Sequence, residues 1–171
     1  MKYSAGIIEL GEGERKVLVP LVQEVEVAVS LIAGDAGILA VFNEEWGSFT
    51  LPMTKRRTWQ PPRVQDSGPE IWEDWSDAAL RCFAEALGVI SDQRPTLLKE
   101  IEDILQNEEP GGEWRRYRFN VFRFDVEGDP PIRTGTTAHW IAVDDFLDEA
   151  QRPISKTARF LVDNLRSSNL V

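Results

Sequence analysis

Two residue types that supply much of the chemistry of enzymes are nearly missing: the 171 residues include one cysteine and one histidine. A lone cysteine, Cys82, excludes an intramolecular disulfide and any multi-cysteine metal site. The lone histidine, His139, falls in a strand pattern and reads as a structural residue, which leaves Cys82 without a base to activate it as a nucleophile. Positive charge is also in deficit, with 19 Lys and Arg against 29 Asp and Glu, a net charge of −10. That balance argues against a nucleic-acid polymer or an anionic membrane as partner, while leaving room for a small anionic ligand on a local basic patch. No uninterrupted apolar run approaches the length of a membrane span, and the first residues, Met-Lys-Tyr-Ser-Ala-Gly, have no apolar core. The expected location is therefore the cytoplasm. Internal repeats and low-complexity tracts are absent as well.

What is present is ordinary for a soluble globular protein: 42% hydrophobic and 28% charged residues. The length suits one domain preceded by an extension. Residues 1–22 read as an N-terminal arm of two short strands around Gly11-Glu12-Gly13-Glu14, either a hairpin or an arm that pairs with another subunit, so a homodimer is compatible with it. Residues 23–171 read as the domain proper. Glu24 to Ile32 alternates Val25, Val27, Val29 and Leu31 with Glu24, Glu26, Ala28 and Ser30, the period of a half-buried strand. Gly34-Asp35-Ala36-Gly37 is a turn, Gly37 to Asn43 a second strand, and Trp46 to Leu51 a third after a turn at Asn43-Glu44-Glu45. Met53 to Glu73 reads as a long, mostly irregular loop.

Ser76 to Val89 is the best amphipathic helix. Ala79, Leu80, Phe83 and Leu87 form an apolar stripe, Asp77, Arg81 and Glu85 a polar row, and Cys82 and Ala86 lie between them. Ser76 or Asp77 is placed to cap its start and Gly88 to end it. Pro95 to Gln106 fits helix or strand. Trp114 to Val126 is a long strand whose apolar alternation changes phase near Val121, which suggests a β-bulge there. Thr137 to Val143 is a strand leading into a short helix, Asp144 to Ala150. Ile154 to Leu165 is a last helix with Ile154, Phe160, Leu161 and Leu165 inward. Trp46, Trp114 and Trp140 occupy strand positions and are expected in the core. Trp72 and Trp75 flank the helix entrance as a hydrophobic lock or a pocket wall. The sum is a mixed sheet with one central and one terminal helix, an α+β or layered α/β domain.

Trp46–Leu51-Pro52, Lys55, Glu73, Ala78-Ala79-Leu80-Arg81, Glu85, Gly88-Val89 and the late Trp140-Ile-Ala-Val-Asp-Asp-Phe resemble the Nudix family. Its box reads Gly-x5-Glu-x7-Arg-Glu-U-x-Glu-Glu-x-Gly-U, with U apolar. Glu73 falls on the loop glutamate, Arg81 on the arginine, Glu85 on the first glutamate of the pair and Gly88 on the glycine. The resemblance implies a Nudix-like α/β/α sandwich with a mixed sheet and a C-terminal helix. It implies further that carboxylates on one helix face hold magnesium or manganese, which neutralises a pyrophosphate and activates water. In this chain Cys82 and Ala86 replace two of the box glutamates.

Two readings of function follow. In the first, the pyrophosphohydrolase site has degenerated and the chain is a ligand-binding or regulatory domain without a cofactor. In the second, it is an active magnesium- or manganese-dependent hydrolase of a nucleotide or phosphorylated metabolite. Glu85 and Glu73 would then be metal ligands, Glu85, Glu73 and Arg81 the catalytic residues, and Glu70, Asp74 and Asp77 supporting acids. Glu108, Glu109 and Glu113 form a further acidic cluster, read as solvated loop charge. The candidate ligand-binding residues are Lys55, Arg56, Arg57 and Trp59: arginines hold phosphates bidentately and a tryptophan face stacks on a base. The partner expected is a small phosphorylated ligand.

Overall fold

A computed structural model describes residues 6–10, 17–21, 23–59, 71–106, 112–148 and 152–171, with residues 6–10, 17–21, 23 and 59 in backbone alone. Strands β1 (Gly6–Leu10) and β2 (Val17–Leu21) pair antiparallel. The alternating stretch becomes β3 (Gln23–Gly34), which turns at Asp35-Ala36 into β4 (Gly37–Asn43). Gly37 has φ +138°, and a Cβ there would meet the Ile141 carbonyl oxygen at 2.3 Å, so this turn requires glycine. After a turn through Trp46 come β5 (Ser48–Thr50) and β6 (Met53–Lys55), then β7 (Thr58–Trp59) and β8 (Ile71–Trp72), helix α1 (Trp75–Leu87), β9 (Thr96–Gln106), β10 (Trp114–Asp125), β11 (Ala138–Ile141), α2 (Val143–Leu147) and α3 (Lys156–Ser167).

The main sheet runs β11-β4-β3-β10-β9, with β5 on β4 and β6 on β3. Its centre is the parallel pair β3–β10, and its other pairings are antiparallel, so the sheet is mixed. Side chains alternate across it. Val25, Val27, Val29 and Leu31 enter one core with Phe119, Val121, Phe146 and the inner face of α3. Ala28 and Ile32 enter a second core with Phe122, Phe124 and α1. The layering is helix, sheet, helix.

Several expectations need correction. The segment from Met53 to Glu73 is not mainly irregular among its described residues: β6 extends β3, and β7 and β8 pair, closed by Glu73 N–H donating to the Arg57 carbonyl at 2.8 Å. Residues 60–70, including Glu70 and Arg63, lie outside the described residues. Thr96–Gln106 is strand because it finds an antiparallel partner along β10, with Ile101 buried. The register shift near Val121 occurs between Val121 and Phe122, but the extra residue, Leu98, is on β9. The phase change along β10 has another cause: Phe119 and Val121 serve one core, Phe122 and Phe124 the other. Helix α1 is capped by Asp74, whose carboxylate accepts from the Ser76 N–H at 2.9 Å, rather than by Ser76 or Asp77. Gly88 ends it as expected, at φ +73°. Trp46 sits half-buried in a turn, while Trp114 and Trp140 are half-buried in their strands. Inward α3 residues are Ala158, Leu161, Val162 and Leu165, with Phe160 only partly buried.

Candidate functional site

Helix α1 lies on β3 because its inner residues are small. Ala78, Ala79, Cys82 and Ala86 are buried there, and Ser30 Oγ donates to the Ala79 carbonyl at 2.8 Å, fastening sheet to helix. Cys82 therefore faces inward rather than lying at the border of the stripe. Burial pushes its thiol up to about 12, which leaves it un-ionised and inert at neutral pH. Glu85 projects outward, its side chain 53% exposed.

Arg81 gathers the segment before the helix. Its Nε and Nη2 donate to the two oxygens of Glu73 at 3.0 and 2.8 Å, a bidentate pair in which both side chains are mostly buried. Nη1 donates to Thr54 Oγ1 at 2.9 Å and Nη2 to the Lys55 carbonyl at 3.1 Å. Glu85, its neighbour one turn on, lies farther away at 3.6 Å. The Arg57 N–H completes the cradle, donating to Glu73 Oε2 at 2.9 Å. Arg81 thus holds the Glu73 carboxyl below the usual glutamate range, and Glu73 in turn raises Arg81.

The basic stretch divides. Arg56 is committed within the protein: Nη1 pairs with Glu26 at 2.7 Å, Nε donates to the Glu73 carbonyl at 2.8 Å, and the guanidinium lies 4.5 Å from the Trp75 ring and 5.4 Å from that of Trp72. The two tryptophans lock the helix entrance through this arginine. Arg57 is exposed and contributes its backbone to the Glu73 cradle. The Trp59 side chain lies outside the described residues. Lys55 lines a cavity.

That cavity, of about 500 Å³, opens where the sheet forks. Only Ala33 and Gly34 of β3 pair with β4, and farther along the same edge Val27–Val29 pair with β6. Its walls include Val27, Phe42, Leu51, Met53 and Phe119, with Trp46, Tyr117, Asn43, Glu45, Thr54, Lys55 and Arg115 among the polar and aromatic residues. Asn43 Oδ1 accepts from the Trp46 N–H at 3.0 Å and fixes the turn that carries the indole. Trp46, Tyr117 and Arg115 were not among the sequence candidates. They come from a turn and a distant strand, and the only local signal for two of them is that Arg115 and Tyr117 share the face of β10 with Phe119.

A search against protein-family models finds no match, and no curated protein resembles the sequence. Solved structures do resemble the fold. A MutT protein from Methanosarcina mazei Go1 superposes with a TM-score of 0.57 at 15% identity, over 86% of this chain and 96% of that one. A MutT NUDIX hydrolase from Burkholderia pseudomallei gives 0.54 at 23% identity, over 82% and 97%. This chain is a Nudix-fold protein. The Nudix domain of Shewanella oneidensis NrtR, solved with ADP ribose, gives 0.52 at 15% identity, over 85% and 88%.

In the resemblance drawn from the sequence, the acidic positions of the box fall on Cys82, Glu85 and Ala86, all on α1. Magnesium and manganese take several oxygen ligands, some of them charged. Cys82 offers a buried, protonated thiol and Ala86 a buried methyl. Both oxygens of Glu73 already accept from Arg81 and from the Arg57 N–H. Of the supporting acids, Asp74 caps α1 and Asp77 is exposed in its first turn. Glu113 pairs with Arg115 at 3.3 Å; Glu108 and Glu109 lie outside the described residues. Among the described residues no group of three His, Cys, Asp or Glu side chains converges where it could hold a metal ion. The described members of this donor set do not fit a divalent cation. Among the described residues, too, no helix is long and apolar enough to cross a membrane.

Proposed function

We propose that this protein is a Nudix-fold binding domain for a small phosphorylated ligand, without pyrophosphohydrolase activity and without a bound metal. One observation carries the reading: the carboxylate that would join Glu85 in a cation site, Glu73, has both oxygens committed to Arg81 and the Arg57 backbone. Glu85 is left with a thiol and a methyl as box neighbours, and a single exposed carboxylate holds magnesium poorly. The feature that supports a bound ligand is the cavity beside β6, with Lys55 at its wall. Two structures of the same fold support a nucleotide-like occupant: the NrtR domain was solved with ADP ribose, and a C. elegans Ap4A hydrolase as a binary complex.

The competing reading, a metal-dependent hydrolase of a nucleotide or phosphorylated metabolite, rests on Glu85 standing exposed 3.6 Å from Arg81. One assay separates the two. The protein is incubated with millimolar magnesium or manganese and a panel of nucleoside diphosphate derivatives, and release of phosphorylated product is followed. No turnover above a protein-free control is expected. Robust turnover that disappears in Glu85→Gln would establish the hydrolase instead.

A further inference from the structure

Arg115 carries a buried donor that meets no acceptor among the described residues. Its side chain lines the cavity at the fork in the sheet and is 19% exposed. At the outer end Nη2 pairs with Glu113 at 3.3 Å. The buried donor is Nε. Buried guanidinium donors without partners are rare, since leaving one unmade forfeits the water it had in the unfolded chain. An acceptor that arrives with a ligand resolves the deficit.

The neighbours of Arg115 narrow the chemistry. Along β10 every second residue shares one face, so Arg115, Tyr117 and Phe119 stand in a row. The rings of Tyr117 and Phe119 lie 5.4 Å apart and 6° from parallel, Phe119 buried in the core and Tyr117 half-buried at its edge, so that Tyr117 offers the aromatic surface. Trp46 lines the same space from its turn. Lys55 supplies a second cation; the lining holds one acid, Glu45, and Glu113 engages only the outer end of Arg115. An anionic oxygen that enters here meets Lys55 and the inner edge of Arg115.

We propose that the cavity takes a flat aromatic or heteroaromatic ring bearing an anionic oxygen, with the ring against Trp46 and Tyr117 and the oxygen accepting from Arg115 Nε. Arg115 is the specificity-determining residue: it selects the charged form of a ring compound over the neutral one. The assignment rests on the binding reading above and adds to it the orientation of the ligand and the residue that reads its charge. The shared chemistry is the ring with its oxygen, whether phosphate or carboxylate supplies it.

The test is equilibrium binding, by calorimetry and tryptophan fluorescence, in EDTA so that metal plays no part. Four probes are used: adenosine monophosphate, quinoline-2-carboxylate, adenosine and inorganic phosphate. At least one of the two ring anions is expected to bind tenfold or more tighter than adenosine or phosphate, and which of them does so identifies the source of the oxygen. Arg115→Gln should weaken that ring anion about tenfold or more and leave adenosine unchanged. Arg115→Lys keeps the charge but lacks Nε, and should recover only part of the loss. Trp46→Ala should weaken every ring-bearing probe about fivefold. Thermal melts of each variant verify that it is folded. The assignment is overturned if neither ring anion binds at millimolar concentration, if adenosine binds as tightly as both, or if a folded Arg115→Gln binds the ring anion as the parent does. Metal-dependent turnover in the earlier assay would overturn the binding-only reading and leave this assignment standing.

Discussion

Arg81 is the residue on which most of the site's geometry converges, because all three of its guanidinium nitrogens are engaged inside the protein. Replacing it with methionine keeps some of the stem's packing but strands the Glu73 carboxylate, whose side chain is only 12% exposed. The expected cost is about 2–4 kcal/mol of unfolding free energy, measured by urea titration. Glu73 gives the same network a pH signature. Its carboxyl is held below the ordinary value of 4.5, chiefly by the hydrogen bonds from Arg81. The folded protein therefore binds that proton less readily than the unfolded chain. The stabilisation is complete above 4.5 and is lost as pH falls through the lower, folded value. The stability difference between the parent and Glu73→Gln should accordingly be largest near neutrality and shrink steadily below pH 4.5. A difference that stayed constant down to acid unfolding would show that the pair contributes nothing through its charge.

Helix α1 shows what sequence can and cannot reveal at the scale of an element. Its 3.6-residue period, its terminal glycine and the burial of Ala79, Phe83 and Leu87 were legible, since each is a local property, whereas the burial of Ala78, Cys82 and Ala86 followed from the close approach of β3. Gly88 is the sharpest case: with φ +73°, and with a Cβ there reaching Arg133 at 3.3 Å, Gly88→Ala should cost about 1–2 kcal/mol in chemical denaturation. The partner of Arg81 was less legible. Helical spacing offers Glu85, one turn away, but the shorter bonds go to Glu73, which is delivered by the pairing of β7 with β8. Long-range pairing likewise decided Thr96–Gln106, whose pattern suited helix and strand alike. The cavity was the least legible feature. Trp46, Lys55 and Arg115 lie on separate segments, and no period in the sequence joins them; only the fork between β4 and β6 does.

On the scale of the whole molecule, the two cores share their central strands. β3 sends Val29 and Leu31 into one and Ala28 and Ile32 into the other, and β10 divides Val121 and Phe122 in the same way. Neither core can melt without breaking strands that the other depends on. Thermal unfolding followed by far-ultraviolet dichroism and by near-ultraviolet tryptophan signals should give coincident transitions. Val29→Ala and Ile32→Ala, on opposite faces, should each move both signals together, by about 1–4 kcal/mol in unfolding free energy. Separate transitions for the two probes would mean that one layer is an independent unit.

The parallel pairing of β3 with β10 also has a consequence for biosynthesis. Glu24 and Arg116 are register partners that lie 92 residues apart in the chain. During translation β3 emerges before β10, finds β4 at one end of one edge, and waits for its other neighbour while the intervening strands and helix α1 are made. Throughout that interval a strand carrying apolar residues on both faces keeps an edge unpaired, the kind of surface that recruits other nascent chains and chaperones. Closing so long a loop also sets the pace of refolding in the test tube, where the central pair forms late and the local turns form first. The strand pair that best secures the finished protein is the one most exposed to accident while it is being made.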